Sequence, residues 1–168
     1  GANSTFIRSA EETLENNANS AAAVDKVYFN FTTPEGPTRQ LLLGVKEGLT
    51  EGIEYGYDAK RYNEQHTDCG WDILEESYVI QGIGSVYTDL ELPLAIKVGT
   101  AGECQFNVDS LADLDDNIEV YFKDAELCMV TPLEQNQGAS FTLEAGEYTN
   151  RFSVVFKVTE RAIEEVTE

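Results

Sequence analysis

His66 is the only histidine in the chain, and it stands three residues before Cys69 in the run NEQHTDC. A thiol nucleophile needs an imidazole beside it to take its proton, so this pair is the first place to look for catalysis. Three residues of loop do not orient one side chain on the other. A serine nucleophile has no better support. The strained GxSxG turn that presents such a serine is absent, and GIGS at 82–85 does not match it. Glycoside hydrolysis needs two carboxyl groups at a set separation. The 31 acidic residues supply many pairs and fix no distance. We therefore expect a protein that is not an enzyme, with a small hydrolase kept as an alternative.

Binding chemistry has more to stand on. The run GLTEGIEYGYDAKRYNEQ, residues 48–65, joins two strand-like segments and holds three glycines, three tyrosines and four acids. Hard cations such as calcium take carboxylate and carbonyl oxygens. Glu47, Glu51, Glu54 and Asp58 are the candidate ligands, and the glycines leave backbone carbonyls accessible to the same ion. A second acidic cluster, DLDDN at 113–117, places Asp113, Asp115 and Asn117 at the first, third and fifth positions of an EF-hand loop. That reading fails at Ile118, where the loop needs glycine, and at Asp124, where it needs glutamate. Aromatic faces suggest glycan recognition instead, because sugar rings stack on them while nearby acids accept hydroxyl hydrogen bonds. Tyr55, Tyr57, Tyr62, Trp71 and Tyr87 are the candidates. Trp71 alternates with Ile73, a pattern that also suits a core position.

Composition narrows the partners. The 31 acids face 11 Lys and Arg, a net charge of −20. Phosphate backbones and anionic membranes would be repelled, so neither nucleic-acid binding nor membrane insertion is expected. No apolar run approaches the roughly 20 residues of a membrane helix. The expected partner is a glycan or a surface protein. Cys69, Cys104 and Cys128 form no CxxC pair, which argues against a zinc knuckle. One disulfide with a free thiol and three reduced cysteines both remain open, so cysteine usage does not fix the compartment.

The elements that must position these residues follow a period of two. Val27, Phe29 and Phe31 alternate with polar neighbours in KVYFNFT. RQLLLGV, WDIL and SYVIQG read as further strands, and Leu92, Leu94, Ile96 and Val98 share one face of LPLAIKV. ECQFNV, IEVYFK, ELCMVT, SFTL and RFSVVFKV complete about ten short strands separated by turn residues. IEVYFK and ELCMVT read as a hairpin joined at Asp124–Ala125. The pattern predicts an all-β fold with little helix, an antiparallel β-sandwich of jelly-roll or Ig-like type, with a closed barrel as the alternative. The expected organisation is a mobile leader at 1–25, one domain at 26–158, and a linker or frayed tail at 159–168.

Six blocks also carry a family resemblance: RQLLLGV (39–45), TEGIEYGYDA (50–59), YVIQGIGS (78–85), LELPLAIKV (90–98), IEVYFKD (118–124) and LEAGEYTNRFSVVFK (143–157). In this order they resemble the β-rich region that precedes the C-terminal sorting domain in secreted and surface proteins of Bacteroidota. The resemblance implies export by the type IX route and a place on the cell surface or in the medium, within a large adhesin or multidomain enzyme. It implies a non-catalytic module and supplies no catalytic residue. The block TEGIEYGYDA puts Glu54 and Asp58 at the centre of its special loop. The function expected is adhesion or ligand binding, and the alternative is a carbohydrate-binding module attached to a polysaccharide-degrading enzyme.

Overall fold

A computed structural model describes residues 25–50, 58–135 and 137–159. The expectations for the leader at 1–24 and for the tail from residue 160 lie outside the described residues. The described residues form eleven strands. They are β1 (Asp25–Thr32), β2 (Thr38–Val45), β3 (Ala59–Lys60), β4 (Asp68–Ile73), β5 (Glu76–Ile83) and β6 (Glu91–Val98). There follow β7 (Gly102–Val108), β8 (Ile118–Asp124), β9 (Met129–Leu133), β10 (Ala139–Leu143) and β11 (Gly146–Val158). No helix occurs among the described residues, and none is long and apolar enough to cross a membrane. The all-β expectation holds.

All eleven strands belong to one hydrogen-bonded sheet, ordered β10-β7-β1-β2-β5-β4-β6-β11-β8-β9, with β3 attached to β5. Its two edges are consecutive in the chain. β9 and β10 touch through a bridge between Glu134 and Gln137, so the sheet is nearly closed on itself. The aromatic core shows the same curl. Phe29 packs edge-on to Trp71, with ring centres 5.6 Å apart, and stacks on Phe106. Phe106 then meets Phe122 at 5.0 Å, although β7 and β8 lie near opposite ends of the strand order. Alternation drives this arrangement: Val27, Phe29 and Phe31, then Cys104, Phe106 and Val108, are all buried, and burying the inward faces supplies the main driving force.

Three local features depart from simple antiparallel alternation. β2 and β5 pair in parallel, from Leu42↔Ile80 to Val45↔Ile83. Within β5 the period slips: Tyr78 is buried and so are Gln81 and Ile83, where the β3–β5 register also shifts. The β8–β9 turn is longer than expected. It spans Ala125–Cys128, and β9 begins only at Met129. The cause is Asp124, whose Oδ1 accepts the amides of Glu126 and Leu127 at 3.1 and 3.3 Å while its carboxylate receives Arg151 in a two-pronged pair at 2.8 and 2.9 Å. These bonds hold the Asp124 pKa below the ordinary carboxylate value, Arg151 contributing most. The loop at 109–117 is a turn with buried Leu114 as its plug, and the Asp113 carboxylate accepts the Lys26 amide.

Gly138 tests the placement of β10. A Cβ there would run into the Phe106 carbonyl and the Asn107 carboxamide, both part of β7. Gly138→Ala is expected to cost about 1–3 kcal/mol, because backbone must shift to admit the methyl group. A urea titration reads this as a lower midpoint, and an unchanged midpoint would mean that the β9–β10 connection does not press on β7.

Candidate functional site

The outward side chains of four neighbouring strands build a groove. On β4, Cys69, Trp71 and Ile73 point to the core, which turns Gly70 and Asp72 to the opposite face, Gly70 covered and Asp72 half-buried. Asp72 faces Ser77 across the β4–β5 pair, and Gly70 faces Ala95 across the β4–β6 pair. Gly70, Ser77 and Ala95 are small, so the outer surface sinks here. At Gly70 a Cβ would sit 2.9 Å from the Ser77 Cβ, so larger residues are kept out of the floor. The groove has a volume of about 370 Å³, and its walls are Arg61 and Glu64 on one side and Glu147, Thr149 and Asn150 on the other. Glu75 and Glu76 close one end and Lys97 lines the floor beyond Ala95.

Two of these walls are made from strained backbone. Leu74 and Glu75 have φ of 52° and 68°, the double left-handed geometry of a tight hairpin that normally selects Asn-Gly. Asn150 has φ of 63° inside the irregularity of β11, where Tyr148↔Ile96 gives way to Phe152↔Leu94. Left-handed geometry costs an ordinary residue roughly 1–2 kcal/mol. Such positions concentrate where a side chain must be aimed, and here they set Glu75 and Asn150 on the rim.

The wall at 61–65 is held by a buried ion cluster. Asp68 is fully buried and receives Arg39 through Nε at 2.8 Å and Nη2 at 2.9 Å. The amides of Gln65 and Cys69 donate to the same carboxylate, each at 2.8 Å. Burial acts to raise the Asp68 pKa, but Arg39 and the two amides outweigh it and hold the carboxyl below its ordinary value. Arg39 also donates to the Asn63 carbonyl at 2.6 Å. Arg61 lies 3.7 Å from Asp68 and bonds Glu64 through Nη2 at 3.2 Å. Its side chain is nine-tenths buried, and its Nε and Nη1 have no hydrogen-bond partner. Buried donors without a hydrogen-bond partner are uncommon, and here Nε faces the Asp68 carboxylate as an ion pair.

The groove therefore offers carboxylate acceptors beside guanidinium and ammonium donors, with no aromatic side chain in its lining. A second, more open depression of about 420 Å³ lies on the β1–β7 face and is lined by Asn30, Asn107, Asp109, Gln135 and Gln137. A family model described as "Domain of unknown function (DUF8693)" matches residues 1–156. The chain belongs to this family. The match takes in both depressions and all eleven strands except the last two residues of β11. No curated protein and no solved structure matches the chain.

The DUF8693 domain distributes the residues singled out in the sequence. Glu51, Glu54, Tyr55 and Tyr57 lie outside the described residues. Glu47 is exposed, and Asp58 accepts the Gly82 amide at 2.7 Å, which ties the long connection to β5. Among the described residues no three of His, Cys, Asp and Glu are gathered as a metal site. Tyr62 and Tyr87 are exposed, and neither lines the groove. Trp71 is a correction. It is completely buried against Phe29 and donates its indole N–H to the Leu42 carbonyl at 3.1 Å, so neither ring face is open to a sugar. The alternation with Ile73 was the controlling signal. His66 is exposed and bonds Thr100 Oγ1 at 3.0 Å, whereas Cys69 is fully buried and burial pushes its thiol far up. They form no dyad. Burial also raises the Cys104 thiol to about 11, and all three cysteines are free.

The groove residues themselves escaped the sequence reading. Arg61, Glu64, Asp72, Glu75, Lys97 and Glu147 come from five separate segments, and only the strand order β5-β4-β6-β11 brings them together. One signal was available: Ser77 and Ala95 are small residues within predicted strands, and Gly70 directly precedes another.

Proposed function

We propose that this domain is a non-catalytic binding module of a larger extracellular or cell-surface protein, and that the polar groove is its ligand site. The observation that carries the reading is the groove's lining, where carboxylates alternate with the under-bonded Arg61 and with Lys97. A ligand filling it must donate and accept hydrogen bonds side by side. The hydroxyl groups of a neutral glycan do both, so carbohydrate binding is the mode of adhesion favoured here. His66 bonds Thr100 and not the buried Cys69 thiol, which removes the cysteine–histidine pair on which a small hydrolase could rest. A flattened, sandwich-like form of the curled sheet belongs to the same proposal: Phe29, Phe106 and Phe122 bridge facing walls across a filled interior. Export by the type IX route rests on the six sequence blocks. Calcium in the connection around Glu47 and Asp58 would brace the loop next to the β3–β5 contact.

A glycan array probed at millimolar calcium, with and without chelator, tests this function. Wild-type protein is expected to select neutral glycans, and the double variant Asp72→Ala/Glu147→Ala to lose at least tenfold in signal, since both side chains sit on the exposed outer face and the fold should survive. Signal that also falls on chelation assigns calcium a part in binding. Retention of full binding by the double variant would place the ligand elsewhere.

A further inference from the structure

We propose that the seam between the two sheet edges captures an extended peptide of another protein, which adds a strand to β10. The seam begins at the Glu134–Gln137 bridge and opens beyond it. Among the described residues, β9 pairs only with β8 and β10 only with β7, so one side of each backbone is unused. Between them lies a cavity of about 140 Å³ with an apolar side, where Phe122 and Phe141 stack at 4.9 Å beside Leu127, Met129 and Ala139, and a polar side that includes the Asp124–Arg151 pair. That volume suits one bulky aliphatic or aromatic side chain. Leu127, Met129 and Val130 are each more than half exposed along the rim.

Sheet edges are normally protected by charge or proline. In a chain with 25 % charged residues, the ten residues of β9 and β10 carry no charge at all. β9 does carry Pro132, which lacks an N–H, whereas β10 (ASFTL) has neither proline nor charge. The fuller ladder is therefore on β10, and strand addition is the recognition mode that uses a free ladder beside a partly apolar pocket. Charge decides the occupant. Exposed Glu134 and Glu144 flank the two ends of β10, and the net charge of −20 opposes a second copy of this chain. The fitting partner is a strand with alternate apolar residues and Lys or Arg between them.

The probe is a synthetic seven-residue peptide in which Lys alternates with Val, Phe and Val. Its control has the same composition with the three apolar residues adjacent. The alternating peptide is expected to bind in the micromolar range and to slow amide exchange in β10, whereas the control leaves β10 unprotected. Leu127→Lys/Met129→Lys, two exposed positions, is expected to weaken binding at least tenfold with the melting temperature unchanged. Several results would overturn the proposal. They are equal effects of both peptides, binding unaffected by the double variant, slow exchange in the free monomer of the β10 amides that face away from β7, and dimers in sedimentation that protect those amides without peptide.

Discussion

Asp68→Asn is expected to lower the melting temperature by roughly 10 °C. The side chain is completely buried and receives a two-pronged Arg39 pair, two backbone amides and the nearby Arg61. Asparagine keeps the shape and removes the charge, which leaves two guanidinium groups facing an uncharged amide. Breaking a buried pair by removing one partner costs about 3–5 kcal/mol, and a chain of this size loses about 2–4 °C per kcal/mol. The double variant Arg39→Met/Asp68→Leu should recover part of the loss, because Arg61 is then the one arginine of the two left opposite the missing charge. A fall under about 2 °C would reduce the pair to the value of an exposed ion pair. Acid gives a second reading. The folded-state pKa of Asp68 is depressed, so the unfolded chain takes up the proton first as pH falls. The contribution is complete above about pH 4, the ordinary carboxylate range, and disappears as pH drops through the folded value. The stability gap between wild type and Asp68→Asn should therefore narrow as pH falls below about 4 in urea titrations. A gap that widens on acidification would reverse the assignment.

Phe122→Ala is expected to be of similar size, about 3–5 kcal/mol, for a different reason. The Phe122 ring lies within 5.0 Å of Phe106, 4.9 Å of Phe141 and 5.5 Å of Phe152. These rings come from β7, β10 and β11, so a single truncation opens a void where the two ends of the sheet approach each other. Arg151 reinforces the junction from outside, 4.7 Å above the Phe152 ring. Amide exchange in β10 should accelerate more than in β4, since Phe141 of β10 stacks on Phe122 directly, whereas β4 reaches the cluster through intermediates such as Phe29 and Leu94. A loss below about 1 kcal/mol, or equal acceleration in both strands, would show that the curl of the sheet does not depend on this contact.

The strands were legible because burial and alternation are the same signal. Leu92, Leu94, Ile96 and Val98 were placed inward from spacing alone, and all four are buried. Closure was less legible. Nothing local distinguishes a residue that packs within its own wall from one that, like Phe106, meets a ring from the far end of the strand order. The parallel β2–β5 pair was hidden for a related reason, since alternation carries no strand direction. The β8–β9 turn was missed because its length is set by Arg151, 27 residues from the aspartate it binds. Aromatic type did not mark the groove. Trp71 went to the core, while the groove was made by small residues in its floor and by Leu74, Glu75 and Asn150 in left-handed backbone, none of which is a glycine.

Amide spectra of the labelled protein, titrated with the neutral glycan that gives the strongest array signal, test the central claim most directly. The groove reading predicts saturable shifts concentrated at Ser77, Ala95, Lys97, Glu147 and Thr149, with the glycan recovered chemically unchanged. Shifts centred on Asn30, Asn107 and Gln137, or a glycan recovered in pieces, would contradict it.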